Sequence, residues 1–205
     1  MPSLPPVTRG LIVANIAVFV LQMLSPDQLL GSYALWPAGQ HYFPELGRDV
    51  GFQPWQLITY AFLHGNYMHI FFNMFALYMF GRDVELGLGS QNFATLFAAS
   101  ILTAGIVQLI VVTSTIANGV YPTVGASGGA FGVMLAYGLM YPQRQLMLIF
   151  PPIPMRAWLF VTLYGIAELV QGVTGTASGV AHFAHLGGML GAYLVLLRAR
   201  RARFR

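Results

Sequence analysis

Seven polar side chains in this chain fall within or beside strongly apolar stretches: His64, His69, Asn73, Ser127, Glu168, His182 and His185. Polar groups in such surroundings are costly, and an ionisable one marks function by default. Among them are the parts for nucleophilic catalysis. A serine hydroxyl needs a base within hydrogen-bond reach and donors for the oxyanion it generates. Ser127 can supply the nucleophile, and His185 or His182 the base. His69, Asn73 and backbone N–H groups, including that of Ser127, can supply the donors. His69 and Asn73 are i and i+4, so they share one helix face; His182 and His185, at i and i+3, share another.

The same residues have plainer roles as polar contacts between helices, although four histidines near one membrane edge weigh against that. A metal centre is another use for histidine. Yet the chain has no H-E-x-x-H. His64 and His69 point about 140° apart on a straight helix, and Glu168 lies a full span away from any histidine in sequence. No cysteine is present, so thiolate sites and disulfides are excluded. The sequence therefore yields no metal-ligand set and no cofactor.

The elements that must position these groups are membrane spans. Of 205 residues, 57% are hydrophobic and 8% charged, against about 25% charged in a soluble domain. The bulk solvent is lipid, and the net charge of +4 calls for no nucleic-acid partner. A helix needs about 20 residues to cross the hydrocarbon. Six segments approach this: about 8–24, 67–80, 93–112, 126–141, 157–173 and 180–197. Several are short, which fits helices that start below the surface beside a water-filled cavity. The run Leu11–Leu24 is followed by Ser-Pro-Asp rather than a small-residue cleavage site, so it reads as a retained span. With six spans, nine of the ten arginines fall on one side; only Arg48 falls on the other. That bias predicts cytoplasmic termini.

Between the first two spans lies a long segment, Ser25 to about Asn66, rich in aromatics. It is expected to lie in the interface, with Trp36, Tyr42 and Trp55 at headgroup level. The run Leu146–Met155 is too short to span and is interrupted by prolines, so it reads as an interfacial connector. With no internal repeat, residues 1–205 form one domain, an all-α membrane bundle.

Glycines bear on the chemistry as well. Small residues let helices approach closely, and a serine on one helix reaches a histidine on another only if they do. Gly128-x-x-x-Gly132 follows Ser127; Gly187-x-x-x-Gly191, with Gly188, follows His185. These two faces predict a contact between spans 4 and 6. Ser127 at a helix start also places unpaired N–H groups and the positive end of the dipole beside the reacting atoms.

Three stretches, "GASGGAFG", "HGNYMHIFFNM" and "AHFAHLGGMLG", resemble those of the rhomboid intramembrane serine proteases, in the same order. The resemblance covers the six-span core, about Thr8 to Leu197. It implies that Ser127 is the nucleophile and His185 the base of a dyad without an acid. It further implies that His69 and Asn73 stabilise the oxyanion, that His64 has a structural role, and that Phe131 packs on the catalytic imidazole. His182 occupies a position of varied polar residues and receives no catalytic role. Substrates would be single-span or multi-span membrane proteins, cut near the outer membrane edge, in a bacterial inner membrane. Span 5 and the loop 171–180 would act as gate and cap, while the oligomeric state is left open. Two departures stand out: Trp55-Gln56-Leu57 and Glu85-Leu86-Gly87 each lack an arginine that some members carry. A non-proteolytic relative that binds membrane clients is the alternative, although such relatives typically lose the Ser or the His. A channel or transporter would show corresponding interrupted segments in two halves, and none is seen.

Overall fold

In the computed structural model, residues 3–115, 117, 119–148, 152–176 and 180–203 are described. The apolar runs form helices where local chemistry permits. Helix α1 (Pro6–Leu24) starts with proline in its first turn, where no N–H is needed. Helix α4 (Tyr67–Ala76) is capped by Asn66, whose side chain accepts from the His69 N–H at 2.8 Å. It continues through a π turn (Leu77–Gly81) into α5 (Arg82–Leu88). Then come α6 (Ser90–Ser114), α7 (Ser127–Met140), α8 (Ala157–Thr174) and α9 (His182–Arg203). Helices α1, α6 and α8 are long and apolar enough to cross a membrane. Helix α7 is apolar but has only 14 residues, about 21 Å at 1.5 Å per residue, less than the hydrocarbon thickness. Outward faces carry apolar side chains such as Val13, Val20, Ile110 and Leu169, as a lipid-facing bundle requires. The architecture is that of an all-α membrane protein.

The segment between α1 and α4 is more ordered than an interfacial loop. It folds into α2 (Pro26–Tyr33), an antiparallel hairpin of β1 (His41–Phe43) and β2 (Arg48–Val50), and the short α3 (Gln56–Thr59). Its own small core holds Ala34, Trp36, Val50 and Leu63. Trp36 therefore does not face headgroups: it is fully buried, and its indole donates to the Leu30 carbonyl at 3.2 Å. Tyr42 and Trp55 are exposed. Gln56 stands in the middle of this unit. Its Oε1 accepts from the Trp36 and Gln53 N–H groups, while Nε2 lies within 3.5 Å of the Ser32 and Gly51 carbonyls. A bridge between Leu35 and Thr123 ties the unit to the loop before α7. The connector 146–155 is likewise structured, with β3 (Gln145–Met147) pairing antiparallel to β4 (Pro154–Arg156); residues 149–151 lie outside the description.

Helix α9 packs along α6 and α7, and α8 along α9. The glycine faces divide this work differently from the expectation. A Cβ on Gly187 would sit 3.0 Å from the Ala104 Cα and the Thr103 carbonyl; one on Gly191 would sit 2.6 Å from the Ala99 carbonyl. The Gly187–Gly191 face therefore meets α6, not α7. The close approach to α7 falls to Gly188 alone, whose added Cβ would lie 2.6 Å from the Gly128 carbonyl carbon. Opposite it, a Cβ on Gly132 would lie 2.9 Å from the Gly188 carbonyl.

At the other end of the bundle, Glu85 takes the place of a cap for α1, since Pro5 offers no side-chain cap. Its carboxylate accepts from the Val7 N–H at 3.0 Å, the Thr8 N–H and hydroxyl at 2.7 Å each, and the Ser90 hydroxyl at 2.7 Å. Where Gly87 stands, a Cβ would collide with Met140 Cε and the Tyr141 hydroxyl, at 2.5 Å each. That hydroxyl donates to the Asp83 carbonyl at 2.9 Å, and Arg144 pairs with the Asp83 carboxylate.

Candidate active site

Ser127 opens α7, with Ala126 as a cap residue that offers no side-chain hydrogen bond. The first intrahelical bond runs from the Ala130 N–H to the Ala126 carbonyl at 2.9 Å. The N–H groups of Ser127, Gly128 and Gly129 precede it and have no helical acceptor. The chain enters this helix through Gly125, at φ +124°, a backbone state that side chains disfavour. There the Gly125 N–H donates to the Tyr60 carbonyl at 2.9 Å, and the Tyr60 hydroxyl to the Ile101 carbonyl at 2.8 Å. The turn that aims Ser127 is thus anchored to α6 through Tyr60.

His185 lies in the first turn of α9, buried. Its Nε2 is 2.9 Å from the Ser127 Oγ. The Phe131 ring stacks on the imidazole at 4.1 Å with 6° between planes. Phe131 is one turn after Ser127, so one face of α7 carries both the hydroxyl and the surface on which the His185 imidazole rests.

The other imidazole nitrogen is also occupied. His185 Nδ1 lies 2.8 Å from Glu168 Oε2, and His182 Nδ1 lies 2.7 Å from the same oxygen. Glu168, His182 and His185 are all buried. The expectation that no acid accompanies the histidine is therefore corrected. Helices α8 and α9 run antiparallel across a short connection, which brings the last two turns of one beside the first turn of the other. A separation of 17 residues in sequence is then no separation in depth. The signal was in the sequence: Glu168 falls less than two turns before the end of α8, and both histidines fall in the first turn of α9. His182, given no role from sequence, is joined to His185 through this carboxylate.

These three groups lie close enough that a metal ion could be considered. Two ligands on a tetrahedral zinc at about 2.0–2.1 Å stand roughly 3.3 Å apart. Contacts of 2.7 and 2.8 Å are hydrogen-bond separations. A carboxylate only accepts, so each Nδ1 carries a proton, and the His185 Nε2 is left with its lone pair facing Ser127.

His69 approaches from α4. A Cβ built on Gly125 would sit 2.6 Å from His69 Nε2 and 3.7 Å from Ser127 Oγ, so the imidazole edge and the hydroxyl flank that glycine. The Gly65 N–H points to His69 Nδ1 at 3.4 Å, which leaves Nε2 as the protonated nitrogen. Asn73 is buried; its Nδ2 donates to the His69 carbonyl at 3.0 Å, and among the described residues no hydrogen bond joins it to Ser127. His64 is buried beside the site with its ring 5.1 Å from that of His69 and 6.3 Å from that of Phe19. A groove of about 500 Å³ reaches Glu168 and His182, lined also by Tyr164 and Gln171, but Ser127 is not part of it. The expected cap, 171–180, is described except for residues 177–179, which lie outside the described residues.

The Rhomboid domain family model matches residues 51–201. The chain is 29% identical to RHOMBOID-like protein 12, mitochondrial, of Arabidopsis thaliana, over 97% of this chain and 60% of that protein. It is 29% identical to Rhomboid protein 1, mitochondrial, of Saccharomyces cerevisiae, over 88% of this chain and 49% of that protein. It is 35% identical to Rhomboid protease GlpG of Klebsiella pneumoniae, over 50% of this chain and 34% of that protein. The chain thus spans about a third to three fifths of the length of these relatives. With the family model matching most of its length, this multi-pass membrane chain belongs to the rhomboid family.

Proposed function

We propose that the chain is an intramembrane serine endopeptidase that cuts transmembrane segments of other membrane proteins. The observation that carries this reading is the 2.9 Å contact between Ser127 Oγ and His185 Nε2 at the start of α7. The hydroxyl proton passes to Nε2 as Oγ attacks the scissile carbonyl carbon. The oxyanion that forms is held by the backbone N–H of Ser127, by the Nε2–H of His69 and by the second N–H of the Asn73 amide. On collapse, His185 returns the proton to the leaving amine and an acyl-enzyme remains on Ser127. Water, deprotonated by the same imidazole, then releases the new carboxyl end. Phe131 keeps the imidazole plane parallel to its own throughout. His64 packs behind His69 and has a structural role.

We place both termini on the cytoplasmic, arginine-rich side of a bacterial inner membrane, six spans crossing it, and Ser127 toward the outer side. Span 5 (α8) and the following loop are the elements that would gate access. The chain has no cysteine, so single cysteines introduced near each end and labelled from either side test the orientation directly.

A fluorophosphonate probe and cleavage of a labelled transmembrane substrate in detergent test the activity. Wild type labels and cleaves; Ser127→Ala does neither, and His185→Ala loses cleavage. Labelling that survives Ser127→Ala would end the assignment. Cleavage should also fall at acid pH, because an imidazolium cannot act as base; a flat profile from pH 5 to 8 contradicts this.

A further inference from the structure

We propose that Glu168 is a positioning residue for the reaction, holding the His185 imidazole in the tautomer and orientation that free Nε2 for the serine proton. This rests on the protease reading above and departs from the acid-free dyad that the family resemblance implies. Three observations carry it. Glu168 Oε2 is 2.8 Å from His185 Nδ1, the nitrogen opposite the one that meets Ser127. The carboxylate is buried, and its Oε2 is fixed from a second direction by His182 Nδ1 at 2.7 Å. Finally, an ionised carboxylate has acceptors only, so a proton on His185 Nδ1 is the arrangement it favours.

The chemistry then balances without moving the acid's charge. The serine proton goes to Nε2, the proton on Nδ1 stays there, and the resulting imidazolium lies against an ionised Glu168. When the leaving amine takes the Nε2 proton, the neutral tautomer is restored. Without the carboxylate, the imidazole is free to present Nε2–H to Ser127, a tautomer that cannot accept its proton. His182 acts one step further out, as the second donor that fixes Oε2. Its own Nε2 is buried with no hydrogen-bond partner among the described residues.

The other ionisable groups facing His185 are His182 on its own helix and His69 from α4. From α8, Tyr164 stands behind Phe131, 5.9 Å from its ring, and α6 contributes no ionisable side chain. Glu168 is thus the one acid beside the base among the described residues.

The test compares Glu168→Gln, Glu168→Asp and Glu168→Leu with wild type and Ser127→Ala in detergent, with thermal unfolding measured on each. In Glu168→Gln, kcat should fall roughly 10²–10⁴-fold, the contribution of a correctly held general base, while KM stays within about threefold. The acid limb of its pH profile should move to lower pH, since the imidazolium has lost its counter-charge. Glu168→Asp, which restores the charge, should regain at least about tenfold over Glu168→Gln. Folded Glu168→Gln and Glu168→Leu that keep wild-type kcat would overturn the proposal. So would a loss of thermal stability with kcat per folded molecule and the acid limb unchanged, because that outcome describes a packing clamp. A wild type that neither labels nor cleaves would instead remove the protease reading, so the two failures are distinguishable.

Discussion

The contact of α7 with α9 is close enough that one methyl group should separate Ser127 from His185. At Gly188 an added Cβ would lie 2.6 Å from the Gly128 carbonyl carbon and 2.9 Å from its Cα. Ordinary carbon contacts are about 3.5–4.0 Å, and the obstacle is backbone in the first turn of α7, which cannot rotate aside as a side chain can. Gly188→Ala should therefore push the two helices apart by roughly 1 Å. Ser127 and His185 sit one and three residues before the contacting glycines, so their 2.9 Å separation should open to about 3.9 Å, beyond hydrogen-bond range. A misplacement of about 1 Å costs on the order of 10² in rate, and overpacking costs about 1–3 kcal/mol of stability. The assay is the rate of fluorophosphonate labelling per folded molecule, with thermal unfolding in the same detergent. Gly10→Ala is the control, because nothing lies within 4 Å of a Cβ there; its labelling rate should match wild type. Gly188→Ala labelling within threefold of wild type, with an unchanged unfolding midpoint, would refute the reasoning.

Glu85→Ala should orphan the Val7 and Thr8 N–H groups at about 1–3 kcal/mol each, read as a lower unfolding midpoint. Burial pushes the Glu85 carboxyl up, and hydrogen bonds from Thr8, Val7 and Ser90 more than offset this, so its pKa lies below the usual 4.5. A depressed pKa supplies stability above the unfolded value and loses it as pH falls through the folded one. The wild-type midpoint should therefore drop below about pH 4.5, and Glu85→Gln should flatten that drop; an equally steep acid loss in the variant counts against it. Phe131→Leu removes a ring stacked on His185 at 4.1 Å. Such pairs contribute about 0.5–1.5 kcal/mol, so kcat should fall roughly three- to tenfold, with Phe131→Tyr near wild type. Gly125→Ala puts a Cβ 2.6 Å from His69 Nε2 at φ +124°, and on the proposed mechanism should reduce cleavage more than it reduces labelling stoichiometry, because it displaces His69 and leaves Ser127 in place.

Much of this was legible from residue types and spacing. Apolar runs and scarce charge identify a membrane bundle, and the helix ends at Leu24, Ser114 and Thr174 fall within about two residues of those read from hydropathy. The order of three motifs marked Ser127, His185, His69 and Asn73. Less legible was the segment between α1 and α4. Its aromatics suggest a membrane interface, yet Trp36 is buried in a small core of its own, and Gln56, a single amide, links the Trp36 N–H to the Gly51 carbonyl.

By itself the sequence determined which side chains could react and which helices carry them, because polarity and helical period are local properties. What only the tertiary structure decided is which of those groups meet. The glycines of α9 divide between two neighbours, Gly188 to α7 and Gly187 and Gly191 to α6, according to their angle around the helix relative to partners not adjacent in sequence. Glu168 joins the two histidines because two antiparallel helices bring residues 14 and 17 positions apart to the same depth. That pairing depends on helix packing and turn length, and so does the closure of a serine, a histidine and a carboxylate into one hydrogen-bonded row.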